Sequence, residues 1–235
     1  ASVASAQASL IARWMLVGFI HGVMNTDNMT ICGETIDYGP CAFMDRFDPS
    51  TVFSSIDQGG RYSYRNQPPI GQWNLARLAE TLLPLIDDDT ERAVAVATEV
   101  LTDYAEQYSS AWLDGVRAKL GLRSERDGDR GLAERMEMML LEHRLDWTSF
   151  FRALGRLLEG EPTDDALPPG SELPLSWVGE WRRRLAEEGT SEADAARSMR
   201  GVNPVYVPRN HVVEAALTAA SDGGDLQPFE RLLDA

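Results

Sequence analysis

Between His21 and Gly39 the chain sets several oxygen-bearing side chains close together: His21-Gly22-Val23-Met24-Asn25-Thr26-Asp27-Asn28, then Asp37-Tyr38-Gly39. Hard divalent cations such as Mg²⁺ take oxygen ligands, one or two from protein and the rest from phosphate and water. Asn28 Oδ1 and the Asp37 carboxylate form such a pair if a tight turn between them folds the chain back. Asp27 is then the one other carboxylate in the loop, and a carboxylate within reach of a hydroxyl can take its proton.

The order of these residues resembles the protein-kinase active site, where a catalytic-loop Asn and an Asp-x-Gly carboxylate hold the metals. In kinases seven positions separate the His of the catalytic loop from its Asn, and His21 to Asn28 is the same interval. One position departs. The kinase catalytic Asp falls at Val23, which cannot accept a proton, so Asp27 is the candidate base. His21 reads as a supporting residue, not as a proton carrier.

A second, more specific resemblance covers the whole chain. The 21–28 run, Thr35-Ile36-Asp37-Tyr38-Gly39-Pro40, Asp57–Gly60, Arg61-Tyr62, Gln67-Pro68, Trp73-Asn74-Leu75, Asn203-Pro204 and Pro208-Arg209-Asn210 are similar to the selenoprotein O/YdiU family. The resemblance implies a kinase-like fold that transfers AMP from ATP to Ser, Thr or Tyr hydroxyls of proteins. It implies Asp27 as general base and Asn28 and Asp37 as ligands of Mg²⁺ or Mn²⁺ and of the nucleotide's phosphates through it. The family's nucleotide-binding Lys, its Glu partner, the Gly-rich loop and the phosphate-binding Arg residues have no counterpart here. The chain is therefore expected to be a C-terminal piece lacking the ATP-holding N-lobe and inactive alone. A conventional phosphotransferase and a non-catalytic scaffold are the alternatives.

The elements that must position these residues are mostly helical. Apolar residues from Ser9 to Phe19 recur at helical spacing and predict a helix ending at Gly18–Phe19. Met29–Cys32 and Thr35–Asp37, split by Gly33-Glu34, predict a β-hairpin. After a loop-rich stretch from Phe43 to Gln67, the Leu75–Ile86 stripe predicts a helix, and Asp87–Asp89 with Thr90 predicts the capped start of another running to about Leu120. Further helices are expected at Arg130–Leu141, at Thr148–Leu158, around Trp177–Leu185 and after Ser191, where a capping box is read. Glu161–Pro174 and Asn203–Asn210 read as loops. The predicted fold is mainly α: a kinase-like C-lobe with a short β-hairpin over 1–125 and a helical extension over 126–235. Met136, Met138 and Met139 are expected in the core, and Arg182-Arg183-Arg184 on a solvated face. Arg61 and Tyr62 are expected to shape a substrate face.

With 37 acidic against 22 basic residues the net charge is −15. Nucleic-acid binding needs a cationic surface to release counterions, so no nucleic-acid partner is expected. No stretch reaches the ~18 apolar residues of a membrane span. Cys32 and Cys41 lack a zinc or disulfide pattern and read as buried, reduced thiols, which suits a cytoplasmic protein. ATP and hydroxyl-bearing proteins are the expected partners.

Overall fold

The computed structural model describes residues 1–163, 167, 170 and 172–234. The expected connection at Glu161–Pro174 lies partly outside these. Among them the chain is mainly helical with one small antiparallel sheet. The helices are α1 (Ser2–Val17), α2 (Gln67–Ile86), α3 (Thr90–Lys119), α4 (Asp129–Glu142), α5 (Trp147–Leu158), α6 (Leu175–Ala186), α7 (Glu192–Val202), α8 (Asn210–Gly223) and α9 (Gln227–Leu233).

Helix α1 begins seven residues before the expected start and stops where expected, with Gly18 in the left-handed conformation. Pro68 and Pro69 sit in the first turn of α2, where a missing N–H is harmless. Asp89 caps α3 by accepting from the N–H groups of Glu91 and Arg92. Ser191 Oγ accepts from the Asp194 N–H and caps α7, but the Asp194 carboxylate bonds Ser191 Oγ in place of the backbone.

The sheet is not the predicted hairpin. It pairs β1 (Phe19–Ile20) with β2 (Ala42–Phe43), in register Phe19 with Phe43 and Ile20 with Ala42, so it clamps the two ends of the 21–41 excursion. The hairpin itself survives as a single bridge, Met29 with Thr35. Helix α1 holds both arms: Gln7 Nε2 donates to the Thr30 carbonyl at 2.6 Å and Trp14 Nε1 to the Thr35 side-chain hydroxyl at 2.8 Å. One backbone acceptor of the turn is thus taken by a helix side chain.

One apolar core runs from Ala4 to Met199. Trp147 ties its halves: the indole stacks on Phe47 at 5.2 Å and donates to the Leu16 carbonyl at 3.1 Å. Trp177 and Trp181 stack nearly parallel and donate to the carbonyls of Leu132 and Leu120, so each buried indole N–H is satisfied, as burial demands. Met136 and Met139 are in this core, but Met138 is 62% exposed.

The arginine run departs from expectation as well. Arg182 and Arg183 face solvent, but Arg184 is buried. It donates to Asp129, to Glu188 and to the Ser124 carbonyl, while Arg117 donates to Asp129 from the other side. Burial alone would push the Asp129 carboxyl up; the hydrogen bonds from Arg184 and Arg117 hold it below the usual carboxylate range. A buried charge is tolerable only when paired in this way.

Candidate functional site

The loop after β1 is fixed from below by amides of α2. Gln67 is fully buried; its Nε2 donates to the Phe19 carbonyl at 2.8 Å and its Oε1 accepts from the His21 N–H at 2.9 Å. Asn74, also buried, donates to the Met24 carbonyl at 3.0 Å. An irregular loop has no ladder of its own, and these amides satisfy its buried backbone groups.

Gly22 sets how closely the loop meets the Asp-x-Gly segment. Its φ is +85°, and a Cβ there would lie 2.1 Å from the Pro40 carbonyl oxygen. His21 makes the second tie: Nε2 lies 2.9 Å from the Ile36 carbonyl oxygen. A carbonyl only accepts, so Nε2 carries the proton, and Nδ1 is buried without a partner. Burial lowers the His21 pKa, against the Ile36 carbonyl and the Asp37 charge, which favour the cation. The ring packs 5.3 Å from Trp14. These contacts fit the supporting role read for His21.

Thr26–Asn28 form one 3₁₀ turn entered from Asn25. Asn28 Nδ2 donates to the Val23 carbonyl at 3.1 Å, so its amide is oriented by the loop it belongs to and Oδ1 is left over. The Met29–Thr35 bridge starts one residue after Asn28 and closes two residues before Asp37. Both candidate ligands are thus tethered to one segment, Asn28 through Val23 and Asp37 through Ile36 and His21. Asp37 has φ of +53°, a left-handed conformation that Asp tolerates better than most residues. Asp27 and Asp37 are exposed. Among the described residues neither carboxylate, nor Asn28 Oδ1, has a hydrogen-bond or ion-pair partner. No group of three or more His, Cys, Asp or Glu side chains able to hold a metal occurs among them. The donor set is therefore two hard oxygens, enough for a Mg²⁺-type ion that takes its other ligands from phosphate and water.

A cavity of about 320 Å³ lies behind the turn, walled in part by Gln7, Thr26, Met29 and Asn74. Asp27, Asn28 and Asp37 do not line it.

The family of protein adenylyltransferase SelO matches residues 1–235. The chain belongs to the SelO family. It is 53% identical over 235 residues to a protein nucleotidyltransferase YdiU of Rhizobium rhizogenes, covering 99% of this chain and 47% of that protein. It is 56% identical over 237 residues to a protein nucleotidyltransferase YdiU of Cereibacter sphaeroides, covering 100% of this chain and 47% of the relative. This SelO-family chain thus spans about half the length of the curated relatives it matches.

Both cysteines differ from the buried reading. Cys32 is exposed, with Sγ 2.8 Å from Thr30 Oγ1, and Cys41 is half-buried; burial raises the Cys41 thiol pKa. No described helix is long and apolar enough to cross a membrane. Gln7, Trp14, Gln67 and Asn74 were not legible as positioning residues. Polar side chains on otherwise apolar helix faces were the available signal.

Proposed function

We propose that the protein of which this chain is part is an adenylyltransferase that moves AMP from ATP to Ser, Thr or Tyr hydroxyls of proteins. The kinase-like C-lobe is part of the same reading, with the site in 1–125 and a supporting extension in 126–235. In this reading Asp27 takes the proton of the acceptor hydroxyl. The freed oxygen attacks the α-phosphorus, the bond from that phosphorus to the bridging oxygen of the β-phosphate breaks, and pyrophosphate leaves. Asn28 and Asp37 would hold Mg²⁺ or Mn²⁺, which supplies charge neutralisation at the phosphate oxygens when bound. The remaining work of this chain is positioning: Gly22, His21 and Gln67 fix the loop so that its oxygens meet substrate already oriented.

The observation that carries the reading is the set of free oxygens. Among the described residues Asp27, Asn28 Oδ1 and Asp37 stand without partners on a loop held at His21, Val23 and Met24. Family membership supports the reaction class. The test is mass spectrometry of protein incubated with ATP and the full-length enzyme. Transfer of AMP adds a nucleotide mass and releases pyrophosphate; a phosphoryl mass would overturn the reading in favour of a kinase. Asp37→Ala is expected to abolish both transfer and binding of Mn²⁺ in the presence of ATP.

A further inference from the structure

Beside the candidate loop stands a guanidinium that the proposed reaction leaves unused. The Arg61 side chain lies over the Trp73 ring, 4.7 Å from its centroid, and 5.6 Å from that of Tyr62. Arg77 approaches the same indole at 5.4 Å but is paired with Glu80 at 2.6 Å. Among the described residues the Arg61 guanidinium has no carboxylate and no hydrogen-bond acceptor. The guanidinium is thus available to an anion in a chain that carries 37 acidic and 22 basic residues.

The backbone of this segment is also joined to the site. Asp57 accepts from the backbone N–H groups of both Arg61 and Tyr62 at 2.8 Å. Tyr62 Oη donates to Asn25 Oδ1 at 2.5 Å, and Asn25 leads into the turn that carries Asp27 and Asn28. A guanidinium over an aromatic ring still has N–H groups to offer, and two of them can grip a carboxylate with parallel hydrogen bonds. The rings have already removed much of the side-chain freedom that binding would otherwise cost.

We propose that Arg61, held by Trp73 and Tyr62, binds a carboxylate side chain of the protein substrate a few residues from the hydroxyl that is modified. This makes Arg61 a specificity-determining residue and acidic segments the preferred substrate class. The inference rests on the adenylyltransferase reading above.

The test uses the full-length enzyme and Ala-rich peptides with one acceptor hydroxyl and either Glu or Gln at successive positions around it. At the best position the wild-type enzyme is expected to favour the Glu peptide in kcat/KM by about fivefold, the scale of an exposed ion pair. Arg61→Ala should bring that ratio to one, and Arg61→Glu should turn the preference toward a Lys peptide. A wild-type ratio of one, or an Arg61→Ala enzyme that keeps the ratio while its KM for ATP rises, overturns the inference; the second result would make nucleotide phosphate the anion. Absence of any nucleotide mass on every acceptor sinks the transfer reading instead. A readout free of catalysis separates the two failures. An acceptor-free Glu peptide should shift the Arg61 side-chain Nε–H resonance of ¹⁵N-labelled protein, and its Gln counterpart should not. Equal shifts, or none, overturn the inference whatever the enzyme modifies.

Discussion

Lys119, the only lysine in the chain, is placed where a cation is expensive. It is 3% exposed at the end of α3, with Nζ 3.9 Å from the centroid of Phe151 and no ion pair to a carboxylate among the described residues. Burial brings its pKa from 10.5 down to about 7. At 1.36 kcal/mol per unit this gap corresponds to roughly 5 kcal/mol lost from stability wherever both folded and unfolded states are protonated, below about pH 7. Between pH 7 and 10.5 the unfolded chain keeps the proton and the folded one does not, so stability rises with pH through that window. Lys119→Met keeps the apolar stem against Phe151 and removes the charge. The expectation is a variant stabilised by about 5 kcal/mol at pH 6.5, with an advantage that shrinks by about 1.4 kcal/mol per pH unit above 7. Urea unfolding of both proteins from pH 6 to 9 reads this directly, because other titrating groups cancel in the difference. A methionine variant less stable than wild type at pH 6.5, or two parallel pH profiles, would refute the reasoning.

Two further substitutions probe the scaffold. Gly22→Ala combines a φ of +85° with a Cβ 2.1 Å from the Pro40 oxygen; it should cost more than about 1 kcal/mol from the backbone conformation alone and should abolish transfer by displacing the loop from Asp37, read as a melting shift with loss of the AMP adduct. Asp129→Ala leaves Arg117 and Arg184 buried against each other and should cost about 3 kcal/mol. The wild-type ion cluster is fully formed above the ordinary carboxylate range and fails as pH falls through the depressed Asp129 pKa, so the variant's acid unfolding should begin from a lower plateau and lose this component of its slope.

The helices were legible because their determinants are local. Asp89, Ser191 and the Pro68-Pro69 pair mark helix starts through groups within one turn, and apolar spacing does the rest. The predicted hairpin is reduced to one bridge beside a helix that local reasoning never sees: Gln7 and Trp14 lie over twenty residues upstream, and they bond the Thr30 carbonyl and the Thr35 hydroxyl. The real sheet is two residues per strand, too short for a period-2 pattern to register. Arg184 was misread for a related reason. Three consecutive arginines look equivalent in sequence, but one points down the same helix face as Trp177, Trp181 and Leu185, and Asp129 waits there.

The candidate site divides along the same line. Asp27, Asn28 and Asp37 stand out as candidates from residue type and order because only certain atoms hold a hard cation or take a proton. What holds them is not so restricted. The Phe19 carbonyl and the His21 N–H could have been satisfied by water, by another strand or by any of several amides, and Gln67 does it from the first turn of α2. Such a choice depends on which helix packs beneath the loop, and therefore on the whole core. The same holds for Arg61, whose guanidinium lies over two rings and has no carboxylate partner among the described residues, the nearby Asp57 being taken up by backbone N–H groups. A lack of a partner leaves no trace in a linear sequence, so substrate preference is the part of this protein's chemistry that required the fold.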